Sequence, residues 1–180
     1  PSVSYRAHVA GIGWQGSVSD GAVAGTTGQG RALEALSGSV SWYGHGSSSL
    51  EVRAHVSNVG WQGWTSGTAG TTGRSLAVEA LQFRLSGEAA SSYDVWYRVH
   101  CSDYGWLGWA KDGASAGTVG LSKAVQAVQV AVLPKGDPAP GDTACPFKSR
   151  SDEPASITVR SHTSNIGWMS PVGGGSVAGT

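Results

Sequence analysis

The start of the chain alternates apolar and polar positions with a period of two. Positions 3, 5, 7 and 9 are apolar or aromatic, whereas Arg6 and His8 share the other face. The segment 52–56, Val-Arg-Ala-His-Val, repeats this alternation. A period of two is the signature of a strand with one buried face. The pattern therefore predicts a β-strand at each of these segments.

A second type of segment also predicts strands. In the segment 79–85, Leu81, Phe83 and Leu85 share a face, and the segment 125–132 is rich in β-branched residues. Between strands, Asp20-Gly21 and Asp112-Gly113 are typical of hairpin turns. Each unit of the chain should then hold three or four short antiparallel strands.

These segments belong to an internal repeat. The motif Arg-x-His-x₅-Trp, with Gly before the Trp, occupies residues 6–14, 53–61, 98–106 and 160–168 without insertion. Ala-Gly-Thr follows each Trp, and a Glu-Ala-Leu segment follows in the first two copies, with Gln126-Ala-Val in the third. A fixed spacing of this kind indicates one structural unit used repeatedly. The predicted boundaries are 1–47, 48–93 and 94–133 for three repeats, 133–156 for an insertion and 157–180 for a half repeat.

Composition narrows the class of protein. With 28 glycines among 180 residues and only 13% charged residues, the chain favours many tight turns over long helices. The net charge is zero and no basic cluster occurs, which argues against a nucleic-acid-binding surface. No stretch has the ~20 apolar residues that span a bilayer. The absence of an initiator Met and of a signal peptide suggests a mature or trimmed product.

The repeat number predicts the architecture. Three units of about 45 residues favour one all-β domain over residues 1–180 with pseudo-threefold symmetry. A β-prism of three small sheets around an axis is the first expectation, and a β-trefoil is the second. The half repeat should dock against the second half of repeat one or three, which gives a monomer. Docking in a neighbouring molecule would give a strand-swapped dimer.

The motif elements closely resemble the ChW repeat, the clostridial hydrophobic repeat with its Gly-Trp pair. The resemblance covers nearly everything except the segment from Leu133 to Ala155. It implies an exported bacterial protein, secreted or on the cell surface, that binds glycans or other extracellular partners. It implies no known catalytic reaction and no cofactor. Gln126 departs from the pattern, because the first two copies have Glu there and the fourth copy lacks its second half.

Several repeated residues are expected to be structural. The four Gly-Trp tryptophans are interpreted as buried pillars near the symmetry axis, because aromatic side chains bury much area. The four histidines are expected to pair with backbone groups or with Glu34 and Glu79 rather than with a metal. Cys101 and Cys145 are predicted to form a disulfide that fixes the insertion, which would imply an oxidising compartment. The tryptophans are Trp14, Trp61, Trp106 and Trp168, and the histidines are His8, His55, His100 and His162.

Less uniform residues are the predicted ligand contacts. Trp64 and Trp109 lie three residues after the repeat Trp, where the other copies have Ser17 and Pro171. A position that accepts Trp, Ser and Pro is expected at the rim of the fold, where an indole can stack on a sugar ring. Polar residues nearby would bind hydroxyl groups, although those before Gly-Trp equally suit a turn. These polar candidates are Gln15, Gln62, Asn58, Asp103, Asn165, Asp20 and Asp112.

Two classes of function remain open from the sequence. We expect non-catalytic, lectin-like glycan binding through several weak, equivalent sites, where multivalency raises avidity. The alternative is an adhesive module that binds protein partners. A glycan hydrolase is a third and weaker possibility, because Glu34 and Glu79 occupy equivalent positions in different repeats and need not face each other.

Overall fold

The computed structural model describes residues 1–44, 46–152, 159–164 and 167–172. Where the sequence predicts one domain, the chain forms two compact units, residues 1–150 and 151–180. The first unit contains all three repeats and the predicted insertion up to Arg150.

Strands make up nearly all of the regular structure of the first unit. One short helix, α1 (Ala89–Ser92), joins repeats two and three. Repeat one contains β1 (Ser2–Val9), β2 (Gly13–Trp14), β3 (Val18–Ser19), β4 (Ala24–Gly25) and β5 (Leu33–Ser41). Repeat two contains β6 (Ser48–Val56), β7 (Gly60–Trp61), β8 (Thr68–Gly70) and β9 (Val78–Gly87). Repeat three contains β10 (Tyr93–Cys101), β11 (Gly105–Trp106), β12 (Ala110–Lys111), β13 (Ala116–Val119) and β14 (Val125–Pro134). The insertion adds β15 (Phe147–Ser149) and a 3₁₀ helix (Arg150–Asp152).

The long first strand of each repeat has the predicted two-faced pattern. Along β1, Val3, Tyr5, Ala7 and Val9 are buried and the residues between them are partly or fully exposed. The first strands of the other two repeats, β6 and β10, show the same alternation. Burial of the apolar face therefore fixes which side of each strand faces the core.

The strands form three sheets that exchange one strand each. Sheet one contains β1, β2, β3 and β5 with β8 from repeat two. Sheet two contains β6, β7 and β9 with β13 from repeat three and β15. Sheet three contains β10, β11, β12 and β14 with β4 from repeat one. In each case the exchanged strand carries the Ala-Gly of the Ala-Gly-Thr segment. It pairs antiparallel with the Glu-Ala-Leu strand of another repeat, or with its Gln126-Ala-Val counterpart in repeat three.

The exchange closes a ring, because repeat two gives its strand to sheet one, repeat three to sheet two and repeat one to sheet three. The prediction of an all-β, three-repeat, prism-like fold is confirmed, and the three separate sheets favour the prism over the trefoil. β5, β9 and β14 each have a partner on both edges. The expected docking of the half repeat falls largely outside the described residues and stays a prediction.

The core lies between the three sheets and is not lined by the Gly-Trp tryptophans. Its largest fully buried side chains are Tyr5, Tyr97 and Phe83, surrounded by Leu and Val. The prediction of buried pillars is wrong: Trp14 is 36% exposed, and Trp61 and Trp106 are half-buried. The strand register explains this exposure. Trp14 pairs with His8, and His8 lies on the outer face of β1.

The insertion packs on the ring without a disulfide. Cys101 and Cys145 are free thiols, so the predicted bridge is wrong. Cys101 is fully buried on the inner face of β10, whereas Cys145 is exposed in the loop. Burial raises the pKa of the Cys101 thiol to about 12, which makes it unreactive. Backbone hydrogen bonds hold the insertion instead, with β15 parallel to β13.

The second unit contains the fourth copy of the motif. Its described residues form a small hairpin of β16 (His162–Thr163) and β17 (Gly167–Trp168), and Val159 bridges to Val172. Trp168 is 65% exposed, so it is no buried pillar either. Among the described residues of the chain, no helix has the length and apolar character needed to cross a bilayer.

Candidate ligand-binding surface

A β-bulge in each repeat brings a polar side chain to the outer face. In sheet one, Val9 pairs with Leu33 and His8 with Ala35, so Glu34 is the extra residue. The same irregularity leaves Glu79 extra in sheet two and Gln126 extra in sheet three. The bulge lets Leu33 and Leu36, three residues apart, both face the core, as a regular strand would not allow.

The bulge places a carboxylate beside the repeat histidine. His8 Nδ1 lies 3.1 Å from Glu34 Oε2, and His55 Nδ1 lies 3.1 Å from Glu79 Oε2. The two groups are close, but neither Nδ1 atom has a partner that meets hydrogen-bond geometry. In repeat three, Gln126 replaces the carboxylate, and His100 Nδ1 is buried without a hydrogen-bond partner.

The Arg, His and Trp of each motif form one cluster, which we call the Arg–His–Trp cluster. In repeat one, the Arg6 guanidinium stacks 4.6 Å from the Trp14 ring centroid, and the His8 ring packs nearly perpendicular to the indole at 5.4 Å. The other copies share this geometry, with Arg–Trp distances of 5.0, 4.7 and 5.6 Å. Their clusters are Arg53, His55 and Trp61; Arg98, His100 and Trp106; and Arg160, His162 and Trp168.

In repeat two, the predicted sugar-stacking residue Trp64 is held between two cations. Arg53 stacks over both Trp61 and Trp64, each at 5.0 Å, and Arg84 stacks over Trp64 at 4.2 Å. Glu51 pairs with Arg84 at 2.5 Å and fixes it there. Trp64 is half-buried and sits between guanidinium groups that would compete with a sugar ring for its faces.

In repeat three, the insertion covers the other predicted rim residue. Trp109 is only 5% exposed, so its assignment to the rim is wrong. Its backbone N–H donates to Asp142 O at 2.8 Å, and Gly141 lies against its indole. Arg98 stacks at 5.2 Å from its centroid. The chain itself therefore occupies the surface where a ligand was expected.

In repeat three, a cavity of about 200 Å³ lies between Arg98, Trp106 and the insertion loop. Repeat one has a larger and more open cavity, of about 240 Å³, beside its Arg–His–Trp cluster on the outer face of sheet one. Arg6 lines the cavity together with hydroxyl groups and short backbone segments of β1, β5 and the loop before β8. The hydroxyl groups belong to Ser4, Ser17, Ser37, Ser39, Ser66 and Thr68.

The amides predicted as ligand contacts are occupied within the fold. Gln15 Oε1 accepts from the Gly25 N–H at 2.8 Å. Gln62 accepts from the Gly70 N–H at 2.6 Å and donates to the Gly70 carbonyl at 3.1 Å. Each Gln closes the loop between its Trp and the exchanged strand, so both are structural rather than ligand contacts.

The predicted aspartates are also occupied, and Asp103 accepts from the Lys123 ammonium group. Asp20 accepts from the Val3 N–H and Asp112 from the Val95 N–H. Burial, together with the nearby Asp94, raises the pKa of Asp112. Asn58 and Asp103 have φ of 62° and 66°, which fits the turn interpretation. Asn165 lies outside the described residues.

The candidate surface is thus the outer face of the clusters and, above all, of repeat one. Among the described residues, no group of three His, Cys, Asp or Glu side chains could hold a metal. The sequence did not single out Arg6, Ser37 or Ser39. A signal was present, because equivalent positions change from Trp, Gln and Arg in repeat two to Ser in repeat one.

Comparison with family models matches the Clostridial hydrophobic W (ChW) repeat at residues 8–37, 55–87 and 100–134. These segments together exceed half of the chain, and each begins at the repeat histidine. No curated protein matches the chain, and neither does any solved structure.

Proposed function

The chain belongs to the Clostridial hydrophobic W family, and we propose that it is a non-catalytic module that binds extracellular carbohydrate through its Arg–His–Trp clusters. The observation that carries the proposal is the repeated placement of an indole, a guanidinium and an imidazole on the outer face of the motif. An exposed indole stacks on the apolar face of a pyranose, and the cationic and polar groups beside it bind hydroxyls.

The exposure of Trp14 supports this use. A stacking residue must be accessible, and 36% of Trp14 is exposed although Arg6 covers part of its ring. The guanidinium and the perpendicular His8 hold the indole in one orientation before a ligand arrives. Such preorganisation lowers the entropic cost of binding.

The placement of the carboxylates supports a binding role rather than hydrolysis. Retaining and inverting glycosidases need two carboxyl groups on either side of one bond. Glu34 and Glu79 instead lie in different sheets, and each faces its own histidine at 3.1 Å. Neither is positioned as half of an acid–base pair in the described structure.

A glycan array probed with the whole protein and with Trp14→Ala tests the proposal. We expect the substitution to weaken binding by about tenfold, since one stacking contact is worth roughly 0.5–1.5 kcal/mol beyond its area. Because Trp14 lies at the surface, the substitution should lower the free energy of unfolding by only about 1 kcal/mol. Tyr43→Ala is the control, as Tyr43 is 89% exposed and lies outside the cluster. Equal binding by the two variants would contradict the site, and binding to no glycan would contradict the function.

The alternative function is an adhesive module that binds a protein partner, and it would depend on side-chain contacts with that partner. Strand exchange gains little support from the ring, because the long strands β5, β9 and β14 are paired on both edges. The outer edges of β1, β6 and β10 are partly covered by two-residue strands or a single bridge. A protein that binds no glycan but captures a defined protein partner would favour this alternative.

A further inference from the structure

The cavity of repeat one exists because the repeats differ at three equivalent outward positions. In the other repeats, larger side chains or the insertion occupy this space, whereas repeat one has hydroxyls. The three positions are Ser17, Ser37 and Ser39 in repeat one; Trp64, Gln82 and Arg84 in repeat two; and Trp109, Gln129 and Ala131 in repeat three.

The same sequence difference leaves the Arg6 guanidinium without the glutamine partner that its equivalents have. Arg53 Nε donates to Gln82 Oε1 at 2.5 Å, and Arg98 Nε donates to Gln129 Oε1 at 2.7 Å. Arg6 Nε has only the Ser37 hydroxyl at 3.4 Å, near the limit for a hydrogen bond. Arg6 is also exposed, whereas Arg53 and Arg98 are half-buried.

The cavity has a positive charge that no neighbouring acid neutralises. None of its lining residues is Asp or Glu. Within the described part of the chain, no carboxylate lies within 4.0 Å of the Arg6 guanidinium. The nearest acidic residue on the paired strand, Glu34, contacts His8 instead. A guanidinium with free donors is the group that binds carboxylate, sulfate or phosphate in a bidentate way.

We propose that this cavity binds the acidic group of a charged saccharide, such as a uronate carboxylate or a sulfate ester. Arg6 binds the anion, and the surrounding serine and threonine hydroxyls bind the sugar ring by hydrogen bonds. Arg6 also stacks on Trp14, so the cavity adjoins the proposed stacking surface. The inference rests on the proposed glycan binding, and it makes repeat one the selective site of the three.

Ser37→Gln is the most specific test. It installs the residue that repeats two and three already carry at this position, so the sheet should tolerate it. The new amide should accept from Arg6 Nε, as Gln82 does from Arg53. The probe is an array of neutral oligosaccharides printed beside their uronate and sulfated counterparts. We expect the protein to bind the acidic members at least about tenfold more tightly, and Ser37→Gln to remove most of that preference.

Ser17→Trp is a second variant that fills the cavity by a different route, following Trp64 of repeat two. It should lower binding of the acidic members and leave the melting temperature unchanged. Raising the salt concentration should weaken the acidic members selectively, because screening acts on the charge pair.

The outcomes separate this inference from the proposed function. Equal binding of neutral and acidic members, lost in Trp14→Ala but kept in both cavity variants, would retain glycan binding and overturn the cavity assignment. An acidic preference that survives in folded Ser37→Gln and Ser17→Trp would overturn it as well. Failure of the unaltered protein to bind any member would overturn the proposed function itself.

Discussion

At the level of single residues, two buried tyrosines contact neighbouring repeats, Tyr5 through its hydroxyl and Tyr97 through its ring. Tyr5 donates to the Ala22 carbonyl and accepts from the Val130 N–H of repeat three at 3.0 Å. Tyr97 donates to the Ala114 carbonyl, and its ring lies 5.0 Å from Phe83 of repeat two. Repeat two has Val52 at the equivalent position, so only two of the three repeats carry such a tyrosine.

Tyr97→Phe should lower stability and change its response to alkaline pH. Burial raises the pKa of Tyr97 above its usual value, whereas the unfolded chain ionises a tyrosine near pH 10. The stability from this group is therefore complete below about pH 10 and is lost as pH rises towards the folded pKa. We expect a loss of about 1 kcal/mol at neutral pH from the missing hydrogen bond. The alkaline decline in melting temperature should also be shallower than in the unaltered protein.

The control is Tyr43→Phe, because the Tyr43 side chain is exposed. Melting curves between neutral pH and pH 11 should superimpose for this variant and the unaltered protein. An alkaline decline that is just as steep in Tyr97→Phe would contradict the role of Tyr97.

Individual residues were the hardest level to predict from the sequence. Repetition of Trp14, Trp61 and Trp106 predicts burial, but the two-residue strands turn these rings back onto the outer face. The sequence predicts Trp109 at the rim, because it does not reveal that a segment about 30 residues later covers this side chain. Both errors concern which surface is covered, and that depends on contacts distant in sequence.

At the level of elements, the bulge and the Ala-Gly-Thr strand fit each other. Gly70 has φ +95°, and a Cβ there would lie 2.3 Å from the Glu34 carbonyl oxygen at the bulge. Gly25 and Gly117 meet the bulges of Gln126 and Glu79 at 2.4 Å in the same way. The glycine therefore permits the close approach by which one repeat's strand joins the next sheet.

Gly70→Ala should accordingly be strongly destabilising. The added methyl meets backbone at the bulge and also forces a non-Gly residue into positive φ, so we expect a loss of at least about 3 kcal/mol. Gly63→Ala is the matched control, because a Cβ there meets nothing within 4 Å and its φ is ordinary. Chemical denaturation of both variants provides the comparison. A midpoint for Gly70→Ala close to that of Gly63→Ala would show that the strand exchange does not need this glycine.

The strands themselves follow from the sequence pattern, but the bulge does not. Along β1 and β6, buried and exposed residues alternate because one face of each strand is buried. The order of apolar and polar residues in the sequence shows this alternation directly. The bulge appears in the sequence as two core residues three apart, such as Val78 and Leu81. That spacing fits a helix as well as a bulged strand, and only the pairing of β9 with β6 decides between them.

At the level of the whole molecule, the closed exchange of strands makes the three repeats interdependent. In an open repeat array, each unit contacts its neighbours in line, and the end units can be lost with modest effect. Here repeat one supplies β4 to repeat three, so removal of any repeat leaves one sheet without its fifth strand and one exchanged strand without a partner. The number of repeats was predictable from the sequence, whereas the direction of exchange depends on pairing that local patterns do not specify.

Two truncations should therefore differ in their effect on stability: the fragment 1–150 should stay folded, whereas the fragment 1–93 should not. All the buried apolar side chains of the described residues lie at or before Val130, so the fragment 1–150 should fold with a melting temperature within a few degrees of the whole chain. The fragment 1–93 retains two complete repeats, but its β9 lacks β13 and its β4 lacks β14. The exposed edges and apolar faces then prevent a stable monomer. Circular dichroism and sedimentation of the two fragments give the comparison. A cooperative, monomeric 1–93 would show that the repeats fold independently, and a large loss of stability in 1–150 would show that the fourth copy of the motif supports the ring after all.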